Sequence, residues 1–139
     1  MEKEFKVTPW EVTGNINYER LIREFGISTF SKLPKIFQEN FLFRRGIIYG
    51  HRNFENILNA IKNKQKFVMM TGLMPTGKFH FGHALLLKQI LFYQSLNAKL
   101  YIAVADIEAY NTRNPNLEEL RKIALEEYLI NYIALGLNP

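Results

Sequence analysis

The run Pro75-Thr76-Gly77-Lys78-Phe79-His80-Phe81-Gly82-His83 places two histidines three residues apart. In a first helical turn that spacing puts both rings on one side, where each can donate a hydrogen bond to the same group. Gly82 removes a side chain where a flat ligand would approach, and Gly77 frees the loop backbone. Pro75 stiffens the approach. A loop between a strand end and a helix amino terminus meets unpaired backbone N–H groups, so it is a place for an anion.

Two histidines at this spacing would also serve as half of a zinc site, but no third ligand stands nearby and the chain has no cysteine. A single histidine here would read first as a helix cap. The loop is not a Walker A motif, because Gly72 and Gly77 lead into Lys78-Phe79 with no Ser or Thr after the lysine. It does not fit GxGxxG either. The lack of cysteine also excludes a thiol nucleophile and a disulfide framework, and it fits a reducing cytoplasm.

The elements that must position this loop follow from pattern. Phe67-Val68-Met69-Met70 is a short apolar run that suits a strand buried on both faces. From about Gly82 to Leu96, Leu85, Leu86, Leu87, Ile90, Leu91 and Phe92 cover most of a helix circumference, so burial on several sides is expected. Asn97-Ala98 then turns the chain into a second strand, Lys99 to Ala105, ending at Asp106. Strand, helix, strand at this spacing predicts a βαβ unit with parallel strands.

Beyond it, Asn116 and Glu119 predict a capping box ahead of the periodic residues Leu117, Leu120, Ala124, Tyr128, Tyr132 and Leu135. That is a helix of about five turns. Gly136 is its carboxyl-terminal cap. No strand follows Asn138-Pro139, which suggests a piece of a longer protein. Upstream, Tyr18–Phe25 and Asn53–Asn63 predict helices, the second with Phe54, Ile57, Leu58 and Ile61 on one face. Phe41 to Tyr49 reads as a helix end running into a short strand. The expected division is a mainly helical extension over residues 1–66 and an α/β block over 67–139.

The 139 residues carry 47% hydrophobic and 22% charged side chains, which excludes disordered and collagen-like classes. No apolar run approaches the roughly 18 residues of a membrane helix, and the alternating charges of Met1 to Lys6 have no apolar stretch behind them, so neither secretion nor membrane insertion is expected. A net charge of +5 favours nucleotide or nucleic acid over acidic protein, although an ordinary solvated surface would carry the same excess.

Pro75 to His83 is similar to the P-S-G-x-x-H-x-G-H form of the class I aminoacyl-tRNA synthetase signature. Cytidylyltransferase-like enzymes share H-x-G-H alone, so further matches matter. Phe5-Lys6-Val7-Thr8-Pro9-Trp10-Glu11-Val12 resembles the amino-terminal motif of archaeal and eukaryotic tryptophanyl-tRNA synthetases. Phe41 to Arg52, with Arg44-Arg45-Gly46 and His51-Arg52, resembles their F-L-R-R-G-x-x-x-S-H-R-D segment, and Asp106-Ile107-Glu108 their D-D-E. The likeness is to the amino-terminal part of the archaeal type and covers nearly the whole chain.

This resemblance implies the first half of a Rossmann-like parallel sheet and the activation of tryptophan with ATP, followed by transfer to tRNA(Trp). His80 and His83 would be catalytic, holding ATP phosphates in the transition state. Pro75, Thr76, Gly77, Lys78 and Gly82 would complete the ATP site, with Mg2+ carried by the phosphates and no protein metal site. Met70, Gly72, Ala103 and Glu108 would bind the amino acid, Glu108 through its α-amino group.

Eukaryotic relatives place Tyr at the position of Met70, Gln at that of Ala103 and Arg at that of Leu73, so indole recognition should differ here or use residues after Pro139. Archaeal tyrosyl-tRNA synthetases share the loop and the A-D-x-x-A-Y strand end, but they also carry Tyr at the position of Met70. The K-M-S-K-S signature and the anticodon-binding domain are expected after Pro139, so this chain alone should be inactive or very weak. L-tryptophan, ATP and tRNA(Trp) are the implied partners, with a cytoplasmic homodimer for the full-length protein. A non-catalytic nucleotide-binding module is the alternative.

Overall fold

The computed structural model describes residues 6–7, 12–13, 18–113 and 116–138, so the Trp10 motif lies largely outside the described residues. The chain divides into two compact units, Met1–Asn56 and Ile57–Pro139.

In the first unit, β1 (Lys6–Val7) pairs antiparallel with β2 (Val12–Thr13). Helix α1 (Tyr18–Glu24) stops at Gly26, whose φ of +58° suits a residue without a side chain. β3 (Ser28–Thr29) pairs antiparallel with β4 (Gly50–His51). That pairing needs Gly50, because a Cβ there would stand 2.4 Å from Cγ2 of Ile27. α2 (Lys35–Glu39) and α3 (Phe41–Arg44) lie between, and Asn40 caps α3 by accepting from the Leu42 N–H at 3.0 Å. The helix expected to end within residues 41–49 is present as α3, but the short strand begins only after Tyr49, at Gly50. Aromatic edges make the core: Phe37 meets Phe43 at 5.1 Å and Phe54 at 5.3 Å, both near 90°.

Helix α4 (Phe54–Lys62) begins in the first unit and ends in the second. There β5 (Val68–Leu73) and β6 (Lys99–Val104) pair in parallel from Val68↔Lys99 to Leu73↔Val104, joined by α5 (Phe81–Ser95). The βαβ unit is as expected, although β5 runs three residues past Met70. Burial on both strand faces is not observed. Met69, Leu73, Leu100 and Ile102 face a core with Leu87, Ile90, Tyr128 and Tyr132, whereas Val68, Met70 and Tyr101 on the opposite face are 57%, 73% and 49% exposed. The strand period of two divides the residues between a covered and an open face.

The same one-sided packing limits α5. It is fully buried along Leu87, Ile90 and Tyr93, half-buried at Leu86, Leu91 and Phe92, and open at Phe81, so it is not enclosed on several sides. Asp106-Ile107-Glu108 does not end the strand but opens α6 (Asp106–Arg113). α7 (Leu117–Ile123), a π turn (Ala124–Leu129) and α8 (Ile130–Ala134) follow. Asn116 caps α7 by accepting from the Glu118 N–H at 2.9 Å, a single cap at the second helical residue and not the expected capping box. Gly136, with φ of +109°, terminates α8 as expected.

Candidate active site

His80 is the amino-terminal cap of α5, with extended backbone, and its Nδ1 accepts the Gly82 N–H at 3.1 Å. His83 closes the reciprocal half, since its Nδ1 accepts the His80 N–H at 3.2 Å. The capping box missing at Asn116 is thus built here from two imidazoles. The capping reading and the ligand-binding reading of these histidines are compatible for a reason of proton placement. A neutral ring whose Nδ1 accepts must carry its proton on Nε2, so each cap leaves one N–H donor free. The rings stack with centroids 3.8 Å apart and 31° between planes. Partial burial, and then the neighbouring His80, hold the His83 pKa below its ordinary value of 6.5, which keeps at neutral pH the uncharged form whose Nδ1 accepts and whose Nε2–H donates.

Gly82 is explained by this packing. A Cβ there would lie 3.0 Å from Cε1 and 3.2 Å from Nδ1 of His80. At Gly77 a Cβ would meet nothing within 4 Å, so the protein's own packing sets no need for glycine there. Pro75 is fully buried, and the Thr76 N–H turns back to the Met74 carbonyl at 2.8 Å. Thr76, Gly77 and Lys78 are exposed beyond that anchor.

The loop's other support comes from the helix after α6. The Phe79 N–H donates to Oε2 of Glu127 at 3.4 Å, and the Phe79 ring meets Tyr128 at 6.1 Å and Tyr132 at 5.8 Å, both edge-on. The Tyr128 ring stands edge-on to His83 at 4.9 Å. Burial raises the pKa of both tyrosines, helped at Tyr128 by the Glu127 charge and at Tyr132 by Tyr128. The Tyr132 hydroxyl is buried without a hydrogen-bond partner. Sequence reasoning read Tyr128 and Tyr132 only as part of an apolar stripe and did not single out Glu127. Their strict spacing of four after Leu120 and Ala124 was the available signal.

Met70, Gly72 and Ala103 share the open face of the sheet, with Gly72 directly opposite Ala103. Glu108 is exposed in the first turn of α6, where the Thr112 hydroxyl donates to its backbone carbonyl at 2.7 Å. The structure therefore brings His80, Gly82 and His83 into one cluster and Met70, Gly72 and Ala103 onto one surface. Two clefts, one bounded by Ile57, Phe67, Val68, Met69 and Tyr93, the other of about 610 Å³ by residues from Lys66 to Lys99, include none of these six. Among the described residues no group of three His, Asp or Glu side chains could hold a metal ion. No helix among them is long and apolar enough to cross a membrane.

Residues 62–139 match the family described as tRNA synthetases class I (W and Y). The chain is 44% identical over 138 residues to a tryptophan–tRNA ligase of Methanocaldococcus jannaschii, covering 99% of this chain and 37% of that protein. The Aeropyrum pernix tryptophan–tRNA ligase is 43% identical over 139 residues, with 96% and 37% covered. The crystal structure of tryptophanyl-tRNA synthetase from Aeropyrum pernix K1 superposes with a TM-score of 0.80 at 45% identity, over 88% of this chain and 35% of that one. That from Plasmodium falciparum gives 0.79 at 30% identity, over 89% and 36%. This chain spans a little over a third of such relatives, 37% of the first two.

Proposed function

We propose that this chain, which belongs to the class I tRNA synthetases for tryptophan and tyrosine, supplies the ATP-binding half of an enzyme that activates tryptophan and transfers it to tRNA(Trp). The observation that carries this reading is the pair of imidazole caps. His80 and His83 each spend Nδ1 on the backbone and keep Nε2–H for a ligand at the amino terminus of α5. Two neutral donors beside a helix terminus suit the phosphates of ATP.

In the proposed reaction a carboxylate oxygen of tryptophan attacks the α-phosphorus, the bond to the bridging oxygen breaks, and pyrophosphate leaves with the electron pair. No enzyme nucleophile is required. His80 and His83 stabilise charge building on the phosphates, while Lys78 and the open backbone at Thr76 and Gly77 line the approach. Mg2+ would arrive on the phosphates. Met70, Gly72 and Ala103 form the surface assigned to the amino acid, and the Glu108 carboxylate is assigned to its ammonium group. Residues 1–66 act as an extension to the catalytic fold that begins at Phe67. We place the full-length enzyme in the cytoplasm as a homodimer.

The test is amino-acid-dependent exchange of pyrophosphate into ATP, measured on the full-length protein with tryptophan and with tyrosine. Exchange with tryptophan is expected. Exchange with tyrosine alone would overturn the tryptophan assignment, and exchange with neither would leave a nucleotide-binding module.

A further inference from the structure

Leu120, Ala124, Tyr128 and Tyr132 recur every four residues, and all four are buried or half-buried. In a regular α-helix a step of four overshoots one turn by about 40°, so such a stripe drifts off its face. The π turn Ala124–Leu129, closed where the Ile130 N–H reaches the Leu125 carbonyl, places more residues in one turn and rotates the stripe back. Along this corrected stripe Tyr128 meets His83 and Tyr132 meets Phe79.

Tyr132 is 2% exposed and its hydroxyl has no partner, and π turns occur frequently at functional sites. Three rings pack against the His83 imidazole: His80 stacked at 3.8 Å, Tyr128 edge-on at 4.9 Å and Phe79 tilted at 5.5 Å. Glu127, from the same turn, accepts the Phe79 N–H one residue before the cap.

We propose that the π turn is the device that aims His83, with Tyr128 as a positioning residue for its Nε2–H and Glu127 as the anchor of the loop backbone. This rests on the reading of His83 as an ATP-phosphate donor. Tyr128 touches no substrate; its ring edge confines the imidazole to one orientation. Loss of that edge leaves the nucleotide chemistry intact in kind but misaligned, and misplacement by an ångström is worth up to about 100-fold in rate.

The experiment uses the full-length protein with Tyr128→Phe, Tyr128→Leu and Glu127→Gln. Two readouts are taken: tryptophan-dependent pyrophosphate exchange, and imidazole nitrogen NMR, which reports the His83 tautomer. Tyr128→Phe should retain rate and tautomer. Tyr128→Leu, which keeps apolar volume for folding, should lower kcat by about 10- to 100-fold with the KM for tryptophan unchanged, and should mix the two tautomers. Glu127→Gln keeps an acceptor oxygen for the Phe79 N–H and should retain kcat, and a drop as large as that of Tyr128→Leu would overturn the anchoring role. Unchanged kcat and tautomer in Tyr128→Leu would overturn the proposal, as would a loss of kcat with the tautomer intact. A wild-type protein without exchange would refute the functional reading instead, and the tautomer comparison would still decide the role of Tyr128.

Discussion

The ring of His80 lies over Gly82 so closely that a Cβ on Gly82 would stand 3.0 Å from its Cε1. Gly82→Ala therefore has two effects of opposite sign. Alanine gains up to about 1 kcal/mol of helix propensity over glycine, whereas the His80 ring must give way to the new methyl and its cap to the Gly82 N–H is disturbed. Thermal unfolding should change little, while kcat/KM for ATP in the full-length protein should fall by about 10-fold or more. Full activity in Gly82→Ala would show that the ring does not need its observed position.

His80 has two jobs that a single substitution separates. Asn is as good an amino-terminal cap as any residue and accepts through its side-chain oxygen, so His80→Asn should keep the melting temperature. The Nε2–H donor is lost, and exchange should drop by about 100- to 1,000-fold, as when one oxyanion donor is removed. A variant that melts early and exchanges normally would reverse the assignment.

Acid should loosen the loop. His83 has a folded pKa below its unfolded value of 6.5, so the unfolded state binds the extra proton more readily. The associated stability is fully present above about pH 6.5 and is lost as pH falls through the lowered folded pKa. Protonation also puts a hydrogen on Nδ1, where the His80 N–H now donates. Urea midpoints measured on either side of that window should fall toward acid, and His83→Gln should flatten the slope.

Met70 and Leu87 should part company. Leu87 is 0% exposed in the core cluster, and Leu87→Ala should destabilise by about 2–5 kcal/mol. Met70 is 73% exposed, so Met70→Ala should stay within about 0.5 kcal/mol. If the open sheet face receives the amino acid, the same change should raise the KM for tryptophan in the full-length protein while leaving that for ATP alone. A marked loss of stability in Met70→Ala would mean that this face is covered.

Local spacing was enough to read the parallel strand–helix–strand order, a helix starting at about Gly82, the Gly136 stop and the histidine pair, because each depends on neighbours within a few residues. Asp106 to Glu108 was misread as a strand end, since acids suit a helix amino terminus as well as a strand edge. The π turn escaped because a spacing of four is close to the ordinary helical period, and only the partners at its two ends show which period is used.

By itself the sequence determined the chemistry available: two imidazoles at helical spacing, no thiol, and apolar runs of strand and helix length. The tertiary structure decided how that chemistry is presented. Which strand face is covered depends on where distant helices pack, and that leaves Met70 open beside a half-buried Met69 that packs on the core. The orientation of the histidines likewise depends on Tyr128, Tyr132 and Glu127, some 45 to 50 residues away along the chain. A hydrogen-bond pattern can be anticipated from residue type, but a ring is aimed by what packs against it, and that contact is nonlocal.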